Sequence, residues 1–245
     1  MEVGAQRDVV AALAERIEQM GQAGRPIGDR LRTGWQGLDH FWPGGGLRVG
    51  TTVEWLGEEG SGVWSLALLS AARAMAGRGG IVIFDRRGEL YPPGLPSVFW
   101  GGALSVVIRS SSAKEELWAW EQVLRSRGVA LAIGRIEGVS DPSLRRLARA
   151  AEQGQTLGVW VRPMLARGSP CWSEIRLAFQ SIMLPRGDRY RAFPSVRQGR
   201  LTLLRARQGH PGRQIEVQWN EQADSLSVVS SLGYSAPASS QASWA

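Results

Sequence analysis

Residues 51–65 read TTVEWLGEEGSGVWS, and the way this stretch is read decides the fold. The apolar and β-branched run 51–56 predicts a strand, and the apolar periodicity of 62–76 predicts a helix. A strand that passes through a glycine-rich turn into a helix is where a phosphate-binding loop belongs. Such a loop wraps a phosphate in backbone N–H groups, neutralises it with a lysine and holds magnesium on a Ser or Thr hydroxyl. The glycines Gly57, Gly60 and Gly62, with Ser61, stand at the right spacing, but Val63 and Trp64 occupy the lysine and hydroxyl positions. Ser65 offers a hydroxyl one place out of register and restores no cation. The only lysine, Lys114, sits far along the chain beside Glu115 and Glu116, and Glu58 and Glu59 oppose a polyphosphate. The expectation is a degenerate loop without ATP turnover, catalytic residue, cofactor or metal, which retains at most weak anion binding at the helix N-terminus.

Working outward, strand and helix patterns alternate. Strands are expected at 80–84, 104–108, 129–133 and 156–161. The helix 113–125 is expected to bury Leu117, Trp120 and Leu124; the next, with Asp141 as N-cap and Pro142 at its first position, to bury Leu144, Leu147 and Ala151. Strands that are apolar throughout indicate a parallel sheet covered on both faces. After Pro163 the pattern changes to consecutive strands at 175–184, 200–207, 214–219 and 226–229, punctuated by Gly, Pro and Asn, which predicts an antiparallel extension. The fold class is therefore α/β, a mainly parallel sheet with an antiparallel C-terminal addition, and the core spans 27–234.

Two flanking segments stand apart. Within 1–26, Val9, Val10, Leu13, Ile17 and Met20 recur at helical spacing between charged residues, so an amphipathic helix ends before Gly21, Gly24 and Pro26. Val10, Leu13 and Ile17 form its candidate partner-binding face. The tail 235–245, rich in Ser and Ala, has no periodicity and is expected to be disordered.

The 245 residues carry a net charge of +7, which favours acidic partners such as nucleic acid. No stretch is long and apolar enough for a membrane span, and the N-terminus resembles no secretory signal, so a cytoplasmic protein is expected. Cys171 is the single cysteine and reads as a small core residue. His40 and His210 are too isolated for a metal or catalytic assignment.

On Thr33-Gly34, Leu38-Asp39, Gly44-Gly45-Gly46-Leu47, Gly50 and Glu54-Trp55-Leu56-Gly57 the chain resembles the RecA superfamily, where a Thr-Gly and a Leu-Asp pair precede a glycine-rich turn and the phosphate loop. The resemblance also exposes departures. Where that family carries the acidic residue that activates water, this chain reads Phe84-Asp85-Arg86-Arg87-Gly88, with Arg87 in place of the base. The strand that should end in a magnesium-associated aspartate closes on Ile133-Gly134-Arg135.

A narrower resemblance, to the ImuA family of RecA-like accessory proteins, sometimes labelled SulA-like, rests on Tyr91-Pro92-Pro93, on residues 116–126 (ELWAWEQVLRS) and on Leu144-Arg145-Arg146-Leu147. It continues through Arg162-Pro163, Ile175-Arg176-Leu177 and Leu203-Leu204-Arg205-Ala206-Arg207. It implies an accessory factor of the SOS response in mutagenic translesion synthesis. Its implied partners are ImuB, a polymerase-like protein without polymerase activity, RecA itself and, indirectly, an error-prone replicative-type polymerase. Because RecA-type protomers exchange an N-terminal element, self-association through Val10, Leu13 and Ile17 is a further implication.

Arginines beside an aromatic suit single-stranded DNA. Arg186, Arg189 and Arg191 surround Tyr190, and Arg205, Arg207 and Arg213 flank a turn containing His210; both groups are candidate DNA contacts. Arg145, Arg146 and Arg149 read as a solvated helix face. Two other functions stand beside the adaptor: an ATP-dependent recombination or repair enzyme with an atypical loop, and an SOS cell-division inhibitor, suggested by the SulA-like label alone.

Overall fold

The computed structural model describes residues 30–95, 99, 105–182, 196–207, 210–220 and 225–232. The expected N-terminal helix with Val10, Leu13 and Ile17, the cluster Arg186, Arg189, Tyr190 and Arg191, and the tail 235–245 lie outside the described residues.

In chain order the elements are α1 (Gln36–Phe41), β1 (Thr52–Gly57), α2 (Val63–Met75), β2 (Gly80–Phe84), β3 (Ser105–Ile108), α3 (Ala113–Arg125), β4 (Val129–Arg135), α4 (Asp141–Gly154) and β5 (Leu157–Pro163). The antiparallel part adds β6 (Ile175–Ile182), β7 (Val196–Ala206), β8 (Gln214–Asn220) and β9 (Ser225–Leu232). All strands join one 9-stranded sheet in the order β3-β2-β4-β5-β1-β6-β7-β8-β9. From β3 to β6 the pairings are parallel, and β1 lies between β5 and β6. From β6 to β9 they are antiparallel. The sheet is thus the mainly parallel one with an antiparallel extension that the patterning predicts.

The alternation of β1 sends Val53 and Trp55 to one face, where Leu66, Leu69 and Ala72 of α2 and Leu38 and Phe41 of α1 cover them. That cluster continues without a break under β6 to β8 through Phe179, Leu201, Val217 and Trp219. The opposite face packs Val82, Phe84, Ala132 and Trp160 against Trp120 and Leu124 of α3 and Leu144, Leu147 and Ala151 of α4. Here Phe84 and Trp120 stack at 4.1 Å, and Trp160 meets Trp120 edge-on at 6.3 Å.

The Thr-Gly and Leu-Asp pairs explain themselves physically. The buried Asp39 carboxylate accepts from the Thr33 N–H (2.7 Å), the Thr33 hydroxyl (2.8 Å) and the Gly34 N–H (3.1 Å), fixing the turn that leads into α1. Gly46 is needed because a Cβ there would meet the Leu31 carbonyl oxygen at 2.7 Å, across the Leu31–Leu47 bridge.

Three expectations need correction. Ser140, not Asp141, is the N-cap of α4, and Asp141 is its first residue, which places Pro142 at the second position. Leu117 is only half-buried, because α3 turns its Trp120–Leu124 stripe to the sheet. The arginines of α4 are not a uniformly solvated face: Arg146 donates to Glu121 at 2.9 Å, and the Arg145 guanidinium lies over the Trp172 ring at 5.2 Å.

Candidate functional site at the end of the first strand

β1 delivers Gly57 to the C-terminal edge of the parallel strands, and the chain turns through Glu58–Gly62 into α2. The turn is closed by its own groups. The Ser61 hydroxyl donates to the Glu58 carbonyl at 2.6 Å and accepts from the Val63 N–H at 3.3 Å, satisfying one of the N–H groups at the helix start. Gly60 and Gly62 take φ of 74° and 92°, the left-handed region that favours glycine. Gly62 is also closely approached, since a Cβ there would sit 3.0 Å from Trp219 of β8.

The two substituted positions part company. Val63 is 4% exposed and joins the α2 core, packed so closely over Gly57 that a Cβ on Gly57 would meet it at 2.8 Å. Trp64 is half-buried and carries the Arg135 guanidinium over its ring at 5.5 Å. Arg135 also pairs with Glu89 and, at 3.8 Å, with Glu59. Arg87 donates to Glu59 at 3.0 Å and Glu137 at 2.7 Å, and lies 3.5 Å from Glu89. The hydrogen bond and charge of Glu137 raise the Arg87 pKa still further. Two arginines and three glutamates from three separate segments therefore form a closed ion-pair network over the loop, beside a hollow of about 440 Å3 that Gly57, Gly60, Gly62, Val63, Trp64 and Ser65 help to line.

The other positions at which ATP chemistry would need an acid are also committed to structure. The Asp85 carboxylate accepts from the Glu89 and Leu90 N–H groups at 2.9 and 3.3 Å and from Arg109 at 3.1 Å. Gly134 has no room for a carboxylate, because a Cβ there would meet Phe84 Cβ at 2.6 Å and Trp120 Cζ2 at 2.8 Å. The residues present do not fit a magnesium-bound nucleoside triphosphate: the loop has no lysine or hydroxyl in register, and Arg87 and Arg135 above it are paired with carboxylates.

Under β1, on the face away from α2, Glu54 is 1% exposed and accepts from Arg162 at 2.7 Å and Arg176 at 2.5 Å. Arg176 further donates to the carbonyls of Ala166, Arg167 and Ser169, anchoring the 3₁₀ turn Met164–Gly168. Burial, reinforced by the Glu54 charge, pushes the Cys171 thiol up to about 11, so it stays protonated and unreactive near neutrality.

The candidate DNA residues separate. Arg205, whose guanidinium donates to the Cys171 carbonyl, and Arg207 line a groove at the opposite, N-terminal edge of the parallel strands. Arg213 lies apart, donating to the His40 carbonyl at 3.0 Å with its guanidinium 5.9 Å from the Phe41 ring. Reasoning from sequence missed Glu59, Glu89, Glu137 and Arg135 as one network. No periodicity links them; only the ends of β1, β2 and β4 bring them together.

A strand-loop-helix of this kind on a mainly parallel sheet with an antiparallel extension defines a RecA-like fold. The crystal structure of the RadB recombinase matches it with a TM-score of 0.57 over 78% of this chain and 97% of that one, at 16% identity. Sequence comparison then gives the family: this chain belongs to the ImuA family. Protein ImuA of Caulobacter vibrioides, strain NA1000 / CB15N, is 30% identical over 199 residues, 74% of this chain and 80% of the relative, and Protein ImuA of strain ATCC 19089 / CIP 103742 / CB 15 gives the same values. No protein-family model matches. Among the described residues, no helix is long and apolar enough to cross a membrane.

Proposed function

We propose that this protein is a non-catalytic, RecA-like accessory factor of SOS-induced mutagenic translesion synthesis that acts by binding partners. The observation that carries the non-catalytic reading is the fate of the loop: Val63 is part of the core, while Arg87 and Arg135 are held by Glu59, Glu89 and Glu137. The pathway rests on family membership and on the resemblance set out above. The partners it suggests are an ImuB-like inactive polymerase homologue, RecA, an error-prone replicative-type polymerase indirectly, and single-stranded DNA as a secondary ligand. A hollow of about 290 Å3 beside Trp64, where Leu68, Leu69, Leu90 and the 72% exposed Tyr91 stand among charged residues such as Asp85, Arg86 and Glu116, supports a protein-facing use of this edge.

Two measurements test the reading. Purified protein is expected to release no phosphate from ATP above background with magnesium present, with or without single-stranded DNA. It is expected to retain the ImuB-like homologue or RecA from extracts of DNA-damaged cells. Magnesium-dependent turnover that is lost on substitution of the loop would sink the non-catalytic reading and favour an ATP-dependent repair enzyme.

A further inference from the structure

We propose that the groove at the N-terminal edge of the parallel strands is a binding site for the phosphodiester backbone of single-stranded nucleic acid. It is formed where α4, the start of β6 and the end of β7 meet, and has a volume of about 490 Å3. Arg145 and Arg149 project from one face of α4 at i, i+4 spacing, and Arg205 and Arg207 come from the end of β7.

The charge arrangement separates this groove from the loop edge of the sheet. At the loop edge Arg86, Arg87, Arg109 and Arg135 are each paired with a carboxylate. In the groove all four arginines are exposed, and none of them pairs with a carboxylate among the described residues. Glu152 and Glu174 are the groove's own carboxylates. Glu174 is already offset by Arg48 at 3.6 Å and Arg30 at 3.8 Å, so the local excess is strongly positive. Four planar guanidinium groups lining one concavity match phosphate oxygens better than a scattered basic surface does.

Two further features point to a ligand. Ser173 is 2% exposed and lines the groove, yet its hydroxyl has no hydrogen-bond partner among the described residues. Such a buried hydroxyl is costly to leave unmade, and a phosphate oxygen would satisfy it. Trp172 is 43% exposed at the rim, with Arg145 over its ring at 5.2 Å. An indole held by a guanidinium is a platform on which an unpaired base can stack, which a duplex cannot offer.

The inference deepens the nucleic-acid part of the proposed function and rests on that part alone. Its test uses the full chain and a fluorescein-labelled oligothymidylate, read by anisotropy across a salt series. The wild-type protein is expected to bind at low ionic strength with a log-log salt slope of about −3, from four phosphates at about −0.7 each. Arg145→Gln/Arg149→Gln and Arg205→Gln/Arg207→Gln are each expected to weaken binding by about tenfold or more and to flatten the slope by roughly half. Trp172→Ala is expected to cost about tenfold without changing the slope, as loss of one stacking platform should. Arg86→Gln/Arg109→Gln removes the same charge at the opposite edge and is expected to change little.

Thermal unfolding of each variant guards against misfolding, and the single substitution Arg149→Gln, at a side chain with no hydrogen bond or ion pair among the described residues, provides a second reading. No binding at low salt, or groove variants that bind like wild type, would overturn the assignment. So would equal loss in the Arg86→Gln/Arg109→Gln control. Competition by polyglutamate as effective as by oligothymidylate, with Trp172→Ala neutral, would assign the groove to an acidic protein segment instead and also overturn it. The ATP and co-purification measurements are untouched by any of these outcomes, so the two readings fail separately.

Discussion

Val63 occupies the position at which a working phosphate loop holds its lysine, and the structure makes it a core residue at 4% exposure. Placing a lysine there is therefore expected to yield no ATP turnover. In Val63→Lys the ammonium must be desolvated or the helix start must distort, and the valine's packing is lost as well. A destabilisation of about 3 kcal/mol is expected, measured as a lower urea midpoint with unchanged m-value. ATP turnover should stay at background, because Arg87 and Arg135 remain paired and Gly134 has no space for an acid. A Val63→Lys protein as stable as wild type, with magnesium-dependent hydrolysis, would contradict this account. The loss at Val63 and Trp64 was legible in the sequence, since spacing alone defines those positions. The closed ion-pair network was not, because Glu59, Arg87, Arg135 and Glu137 lie in segments whose approach only the sheet order determines.

At the scale of elements, the pattern read best where one face is apolar and one polar. Helix α3 runs Ala113–Arg125, the span its periodicity predicts, and Ser112 caps it by accepting from the Glu115 N–H at 3.2 Å. Helix α4 starts one residue earlier than its caps predict, because Ser140 and Asp141 are both good caps and sequence does not choose between neighbours. Strand β7 begins earlier than expected, at Val196, and contains Gly199, a residue that argues against a strand interior. The reason is cross-strand: a Cβ at Gly199 would meet the Phe179 ring at 2.1 Å, so the glycine is what lets Phe179 lie there. Gly134 in β4 works in the same way against the Phe84–Trp120 stack. Gly134→Ala is expected to cost about 1–3 kcal/mol by overpacking, with loss of near-ultraviolet ellipticity from that stack. Gly134→Asp should cost more, since it adds a buried carboxylate. If both variants melt like wild type with the stack intact, the packing explanation of this missing acid is wrong.

For the whole molecule, the question is whether the antiparallel extension is an appendage or part of one folding unit. The apolar cluster under α2 runs unbroken from β2 through β1 to β8. Trp219 is the joint. It is 1% exposed, meets Phe179 edge-on at 5.5 Å, and abuts Gly62 of the phosphate loop. The broad architecture was readable because apolar strands followed by alternating ones leave few topologies. That Trp219 would reach the loop was not readable, because it requires β8 to lie three strands from β1 and to point toward α2. Truncation in Trp219→Ala removes a large buried ring, so a loss of about 3–5 kcal/mol is expected. Because the core is continuous, that loss should appear in the whole chain: urea unfolding followed by far-ultraviolet circular dichroism and by tryptophan fluorescence should shift together and stay coincident. Hydrogen exchange should rise in α2 and in the loop as well as in β8. Separation of the two transitions, or exchange confined to β7 to β9, would mean that the extension folds by itself and that the loop does not depend on it.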